Sequence, residues 1–163
     1  MSNIISPLRS FSDVVASSER MFSDQLLGKL FDSPSDGAIY KLVKCVNGDI
    51  AAAGECAQID VSEGSNYEVE QAVAASVGFC GVALAAITSS SYGFLQVAGA
   101  AEICHSATLA SAGKLVVVGA TAGYVTNADL TTASHGARIV GLAIDDGAAS
   151  ATAYTVVLRP GLI

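Results

Sequence analysis

The sequence predicts a mainly β protein, a small antiparallel β-barrel or β-sandwich that carries an N-terminal helical or extended arm. Three observations lead there. Beyond residue 38 the chain is made of short apolar runs separated by turn chemistry, at intervals close to those of an antiparallel β protein. Before that point apolar residues recur every three or four positions among Ser, Asp, Glu and Arg. A chain of 163 residues with three prolines fits one domain and a short appendage, which gives an arm over residues 1–38 and a β domain over residues 39–163. The hydrophobic content of 52% includes 28 alanines, and with 16 glycines the two smallest residues fill 44 positions. The Val, Ile and Leu that remain suffice for one core in a chain that buries roughly two thirds of its unfolded surface.

In the arm, Phe11, Val14, Val15, Ser18, Phe22, Leu26, Leu27, Leu30 and Phe31 have helical spacing. Ser10 or Ser12 can cap such a helix, and Ser33-Pro34-Ser35-Asp36-Gly37 ends it, because proline restricts the residue before it and lacks a donor. Two readings fit: a helix packed on its own domain, or an arm that docks on a partner through Phe11, Phe22, Leu26, Leu30 and Phe31.

Strands are expected at Ile39–Val46, Cys56–Val61, Gly78–Ile87, Gly93–Val97, Leu115–Val118, Gly123–Thr126, Ala137–Ala143 and Tyr154–Leu158. Asn47-Gly48-Asp49, Glu63-Gly64-Ser65-Asn66, His135-Gly136 and Asp145-Asp146-Gly147 supply turns between them, since glycine accepts positive φ without steric cost. Tyr67–Ser76 is equally consistent with a short helix or a strand. Two internal echoes suggest one repeated β unit. Gly81-Val82-Ala83-Leu84 followed by Tyr92 and Leu95 resembles Gly141-Leu142-Ala143-Ile144 followed by Tyr154 and Val157, and Ala53-Gly54-Glu55-Cys56 resembles Ala112-Gly113-Lys114-Leu115.

Charge and motif content exclude several function classes. Eight Lys and Arg are scattered against fifteen Asp and Glu, for a net charge of -7, and aromatic content is 6% with no tryptophan. A nucleic-acid binder needs clustered cations and stacking surfaces, so direct nucleic-acid binding is not expected. The N-terminus reaches Arg9 without an apolar run, so no secretory leader is expected and synthesis in a host cytoplasm is. Cys45, Cys56, Cys80 and Cys104 stand far apart with no Cys-x-x-Cys pair, the pattern of buried free thiols rather than of a redox or zinc motif. Residues Gln71–Ala101 carry no charge, yet they are rich in Ala, Ser and Gly and have no basic flank, so a membrane span is rejected and surface covered by another protein is expected instead.

No phosphate-binding loop, dinucleotide fingerprint, His-Glu-x-x-His or Gly-x-Ser-x-Gly is present. Asp145-Asp146-Gly147 is the best carboxylate cluster for a hard cation, but it is also what a tight turn asks for. Glu68 and Glu70 share a face if their segment is a strand, without a recognisable third ligand. His135 reads as a loop residue, and His105 and Cys104, as strand neighbours, point to opposite faces. No catalytic residue, metal or cofactor is therefore assigned. The rival from another class is a hydrolytic or carbohydrate-binding β module with Asp145, Asp146, His135 and Tyr154 around a cleft.

The order of segments adds a resemblance. An N-terminal arm leads to Tyr40-Lys41-Leu42-Val43-Lys44, then to Gly81-Val82-Ala83-Leu84 running into Tyr92-Gly93-Phe94-Leu95-Gln96-Val97-Ala98-Gly99. Leu109–Leu115 around an Ala-Gly turn, Gly123-Tyr124-Val125, Ile139-Val140-Gly141-Leu142-Ala143-Ile144 and Val156-Val157-Leu158 follow. Over residues 39–163 this resembles the head decoration, or capsid cement, proteins of tailed bacteriophages. The resemblance implies a β-tulip-like domain and a non-enzymatic virion protein on the outer capsid surface. It also implies a homo-oligomer, with a trimer favoured, that stabilises the shell by bridging subunits of the major capsid protein. A tail or neck structural protein is the alternative within the virion.

Overall fold

A computed structural model describes residues 14–16, 26–62, 65, 67–74, 78–105, 112–128, 139–145 and 154–158. Eleven strands form in the described residues: β1 Val15–Ala16, β2 Leu30–Ser33, β3 Ala38–Cys45, β4 Cys56–Ile59, β5 Glu68–Gln71, β6 Phe79–Ala83, β7 Ser91–Ile103, β8 Leu115–Val118, β9 Val125–Asn127, β10 Ile139–Ala143 and β11 Tyr154–Leu158. Each of the eight expected strands is present, with ends shifted by a few residues or, for β7, with eight added positions shared between its two ends. The undecided segment is strand β5, held on one side by β4 and on the other by a parallel pairing with β3.

Five strands close on themselves in the order β3-β5-β4-β6-β7, because β7 pairs back onto β3 from Lys44↔Tyr92 to Ile39↔Ala98. Closure leaves no free edge in this ring. Val43, Cys45, Ala57, Val69, Cys80, Ala83, Leu95 and Val97 fill its interior, together with Ile50 and Ile87, which are fully buried and bridge to one another. The mainly β class expected from the spacing of apolar runs is thus observed, and of the two architectures it allowed, barrel or sandwich, the structure contains a barrel.

β7 outlasts this barrel. Its first eight residues belong to the ring, and Gly99–Ile103 pair with β11 in a second sheet ordered β7-β11-β10-β8-β9. The change of partner falls at Gly99, whose φ of +91° lets the strand turn while Ala38 Cα would stand 3.1 Å from any added Cβ. A parallel bridge from His105 to Val125, with Val125 N donating to Cys104 O at 2.9 Å, returns β9 to the end of β7. The second unit therefore uses β7 as the first uses β3.

The echoes in the sequence correspond to this repetition. Gly54 N→Ala83 O (2.8 Å) and Ala83 N→Glu55 O (2.9 Å) recur as Gly113 N→Ala143 O and Ala143 N→Lys114 O (both 2.9 Å). Ala72 N→Cys56 O (2.9 Å) recurs as Ala128 N→Leu115 O (2.8 Å). Register shifts beside Gly81 in the β4–β6 pairing and beside Gly141 in the β8–β10 pairing also correspond. Ala101, Ile103, Val116, Val118, Val125, Val140, Ala143, Val156 and Leu158 form the second core, and Cys56, Ala72, Phe79 and Val82 of the first unit pack into it.

The arm departs from its expected helix. Val15–Ala16 is extended and pairs with Ser91 and Tyr92, Leu26–Gly28 makes a single turn, and Leu30–Ser33 is a strand paired with β3 through Leu30↔Lys41 and Ser33↔Ala38. Of the two forms allowed for the arm, these described residues take the extended one. The physical reason is tertiary: the outer face of β3 and β7 offers Tyr40, Leu42, Tyr92 and Phe94, and Leu26, Leu27 and Phe31 pack on it, so strand pairing outweighs the helical spacing. The charge-free stretch Gln71–Ala101 also has a different cause from the one expected. All of β6 and the first eight residues of β7 are buried, so these strands lack charge because they are interior, whereas Val73, Ala86 and Thr88–Ser90 of the same stretch are exposed.

Candidate functional site

A cleft of about 330 Å³ lies where the two units meet, with Asp36, Tyr40, Gly54, Gln96, Ala100 and Glu102 in its wall. Its polar groups mostly satisfy one another. The Asp36 carboxylate accepts from Ala38 N and from Tyr40 Oη, each at 2.9 Å. Hydrogen bonds from Ser33, Ala38 and Tyr40 hold its pKa below the ordinary value. Burial, then the bond to Asp36, pushes the Tyr40 phenol up to about 12, so it stays protonated at neutral pH. Gln96 Nε2 donates to Ala98 O at 3.2 Å and Ala100 O at 2.8 Å, across the bend at Gly99. This set fastens the β2–β3 hairpin and the bend of β7, and it presents neither a free base nor an activated nucleophile.

The remaining chemistry-bearing groups are arranged for structure. Glu55, nearly fully buried, accepts from Ala51 N and Gln71 Nε2, both at 2.8 Å. Asp60 accepts from Ser62 N (2.8 Å) and Ser62 Oγ (2.6 Å) and pairs with Asn47, and these bonds lower its pKa. Glu68 and Glu70 do share a strand, but Glu68 is tied to Lys44 Nζ at 3.1 Å and Glu70 to Gln58 Nε2 at 2.6 Å. All four cysteines are free and buried, and burial pushes every thiol pKa up, which disfavours the reactive thiolate. His105 and Cys104 are both buried, at the junction with β9. Among the described residues no group of three or more His, Cys, Asp or Glu could hold a metal ion.

The residues of the rival cleft are not brought together here. Asp145 is exposed at the end of β10, the side chain of Tyr154 lies outside the described residues, and so do Asp146 and His135. Of the arm anchors, Leu26 and Phe31 pack on this chain's own β domain, with the Phe31 and Phe94 rings edge to face at 5.5 Å between centroids. Leu30 points away and is 43% exposed, while Phe11 and Phe22 lie outside the described residues.

What sequence reading passed over is an apolar surface on the second unit, where Leu142, Ile144 and Val157 are exposed on adjacent strands. A signal for it exists: Ile139–Ile144 has apolar or glycine residues at both parities, so both faces of that strand are suited to being covered.

Comparison with known proteins adds one likeness. No family model matches the sequence, and no curated protein matches it. Among solved structures, the chain is similar to the N base of the head fiber gp8.5 of bacteriophage phi29, with a TM-score of 0.51 and 13% sequence identity, over 77% of this chain and 98% of that one. The fold described above is thus one that a phage head fiber base also adopts.

Proposed function

We propose that this chain is a non-enzymatic structural protein of a tailed-phage virion, which binds the outer surface of the assembled capsid and stabilises it by bridging subunits of the major capsid protein. The observation that carries this reading is the shared fold with the head fiber base, which extends over nearly the whole of that structure. The side chains support it, because Asp36 and Tyr40 of the cleft bond to each other, Gln96 bonds to the backbone of β7 and the thiols are buried. In this reading the β domain is a homo-oligomer, with a trimer favoured. Phe11, Phe22 and Leu30 contact the shell, and Leu26 and Phe31 anchor the arm to its own domain. Linked copies then bind by avidity, so a modest single-arm affinity becomes tight attachment.

Removal of residues 2–25 tests this, since β2 and its packing on β3 are retained. The truncated protein is expected to stay folded by circular dichroism and to stop cosedimenting with emptied phage heads. Undiminished cosedimentation would move the contact onto the β domain, and failure of the full chain to bind heads would overturn the capsid assignment.

A further inference from the structure

The cleft between the two units leaves acceptors unused while its side-chain donors are spent. Its wall holds two carboxylates, Asp36 and Glu102, and no Lys, Arg or His. Hydrogen bonds from Ser33, Ala38 and Tyr40 favour the charged form of Asp36, and Glu102 is exposed. Neither carboxylate is in an ion pair among the described residues. Tyr40 Oη donates to Asp36, and Gln96 Nε2 donates to Ala98 O and Ala100 O. Gln96 is only 5% exposed and lies on the same sheet face as its paired neighbours Tyr40 and Val82. With Nε2 turned to the β7 backbone, the Oε1 of that amide is left to the cleft and accepts no bond from a described residue. An amide held this deeply, with its oxygen unused, offers a fixed contact to a donor that enters.

We propose that the cleft binds a guanidinium on an aliphatic stem, the side chain of an arginine presented by a bound protein. A guanidinium brings positive charge to two carboxylates, and it carries five donors and no acceptor, which matches a wall whose unused groups are acceptors. Val82, Ala83 and Leu84 line the same cleft and give the stem an apolar surface to lie on. An ammonium is a compact point charge with three donors and spans separate acceptors less well. An anion meets two like charges and no donor side chain that is free. The site goes beyond the capsid assignment and holds whichever protein supplies the arginine.

Titration of the isotopically labelled full chain with acetyl-arginine amide, followed by NMR, tests it. Saturating shifts are expected at the Gln96 side-chain amide and at the backbone amides of Gly54 and Leu84. Acetyl-citrulline amide, the uncharged isostere, and sodium chloride at equal concentration are expected to leave them in place. Glu102→Gln removes no bond made within the described residues and is expected to weaken binding roughly three- to tenfold, the range for a charged hydrogen bond at a partly exposed site. Absence of shifts with the arginine probe, equal shifts with citrulline, or undiminished binding by Glu102→Gln overturns the inference. Acetyl-lysine amide bound as tightly would overturn the choice of guanidinium. Free arginine carries a carboxylate that the acidic wall repels, so tighter binding of it than of the blocked form would overturn the assignment to a protein side chain.

Discussion

Two glycines show how single residues fix the strand geometry. A Cβ on Gly141 would run into Val157 O and stand 2.6 Å from Val156 Cγ1, and one on Gly81 would lie 2.7 Å from Gln96 O. Alanine normally gains about 0.5–1 kcal/mol over glycine within a strand. Here the obstacle is partly backbone, which cannot swing aside, and overpacking costs about 1–3 kcal/mol. The clash wins, so Gly141→Ala and Gly81→Ala are both expected to lower the urea midpoint, Gly141→Ala by more.

Asp36 and Tyr40 give stability a pH dependence with two signs. The pKa of Asp36 is depressed, so its contribution is present above the ordinary carboxylate value of 3.8 and is lost as pH falls through the lower folded value. The pKa of Tyr40 is raised, so its contribution is full below 10.0 and disappears as pH climbs towards about 12. Tyr40→Phe should flatten the alkaline limb of a urea-midpoint profile over that window. A limb of unchanged steepness would mean that another group governs it.

At the scale of elements, β2 is the clearest case of context overriding local pattern. Its residues continue the helical spacing of the arm, yet the hairpin turn closes through Gly37 N→Ser33 O at 2.9 Å and lays Phe31 against Phe94. Phe31 is only partly buried, so Phe31→Ala is expected to cost about 1–3 kcal/mol, less than a fully buried phenylalanine. Amide hydrogen exchange should quicken along β2 and little in β8 or β10. Uniform quickening would show that β2 is part of the global folding unit rather than a strand laid on it.

The whole molecule is two similar β units joined by one strand and a shared core. Cys56, Ala72, Phe79 and Val82 lie in the first unit yet pack among the second unit's core residues. Neither unit can open without exposing part of the other. One cooperative unfolding transition is therefore expected, with circular dichroism and tyrosine fluorescence coinciding. Cys45, Cys56, Cys80 and Cys104 should resist an aromatic disulfide reagent in the native protein and react together within that transition. Early reaction of Cys56 alone would show that the units separate first.

Period and punctuation in the sequence determined the β class, eight of the nine strands from residue 38 onward and the buried thiols, and the paired Gly81/Gly141 and Gly54/Gly113 segments suggested the repetition. These are local properties, set by alternation, turn residues and close backbone approach. Tertiary structure alone decided that β7 serves both units, that the arm's Leu30–Ser33 is a strand, and that the strands of the charge-free stretch are interior while Leu142 and Val157 are exposed. Apolar residues look alike in sequence whether they face a core or a partner. Which of the two they meet depends on what the rest of the chain packs against them.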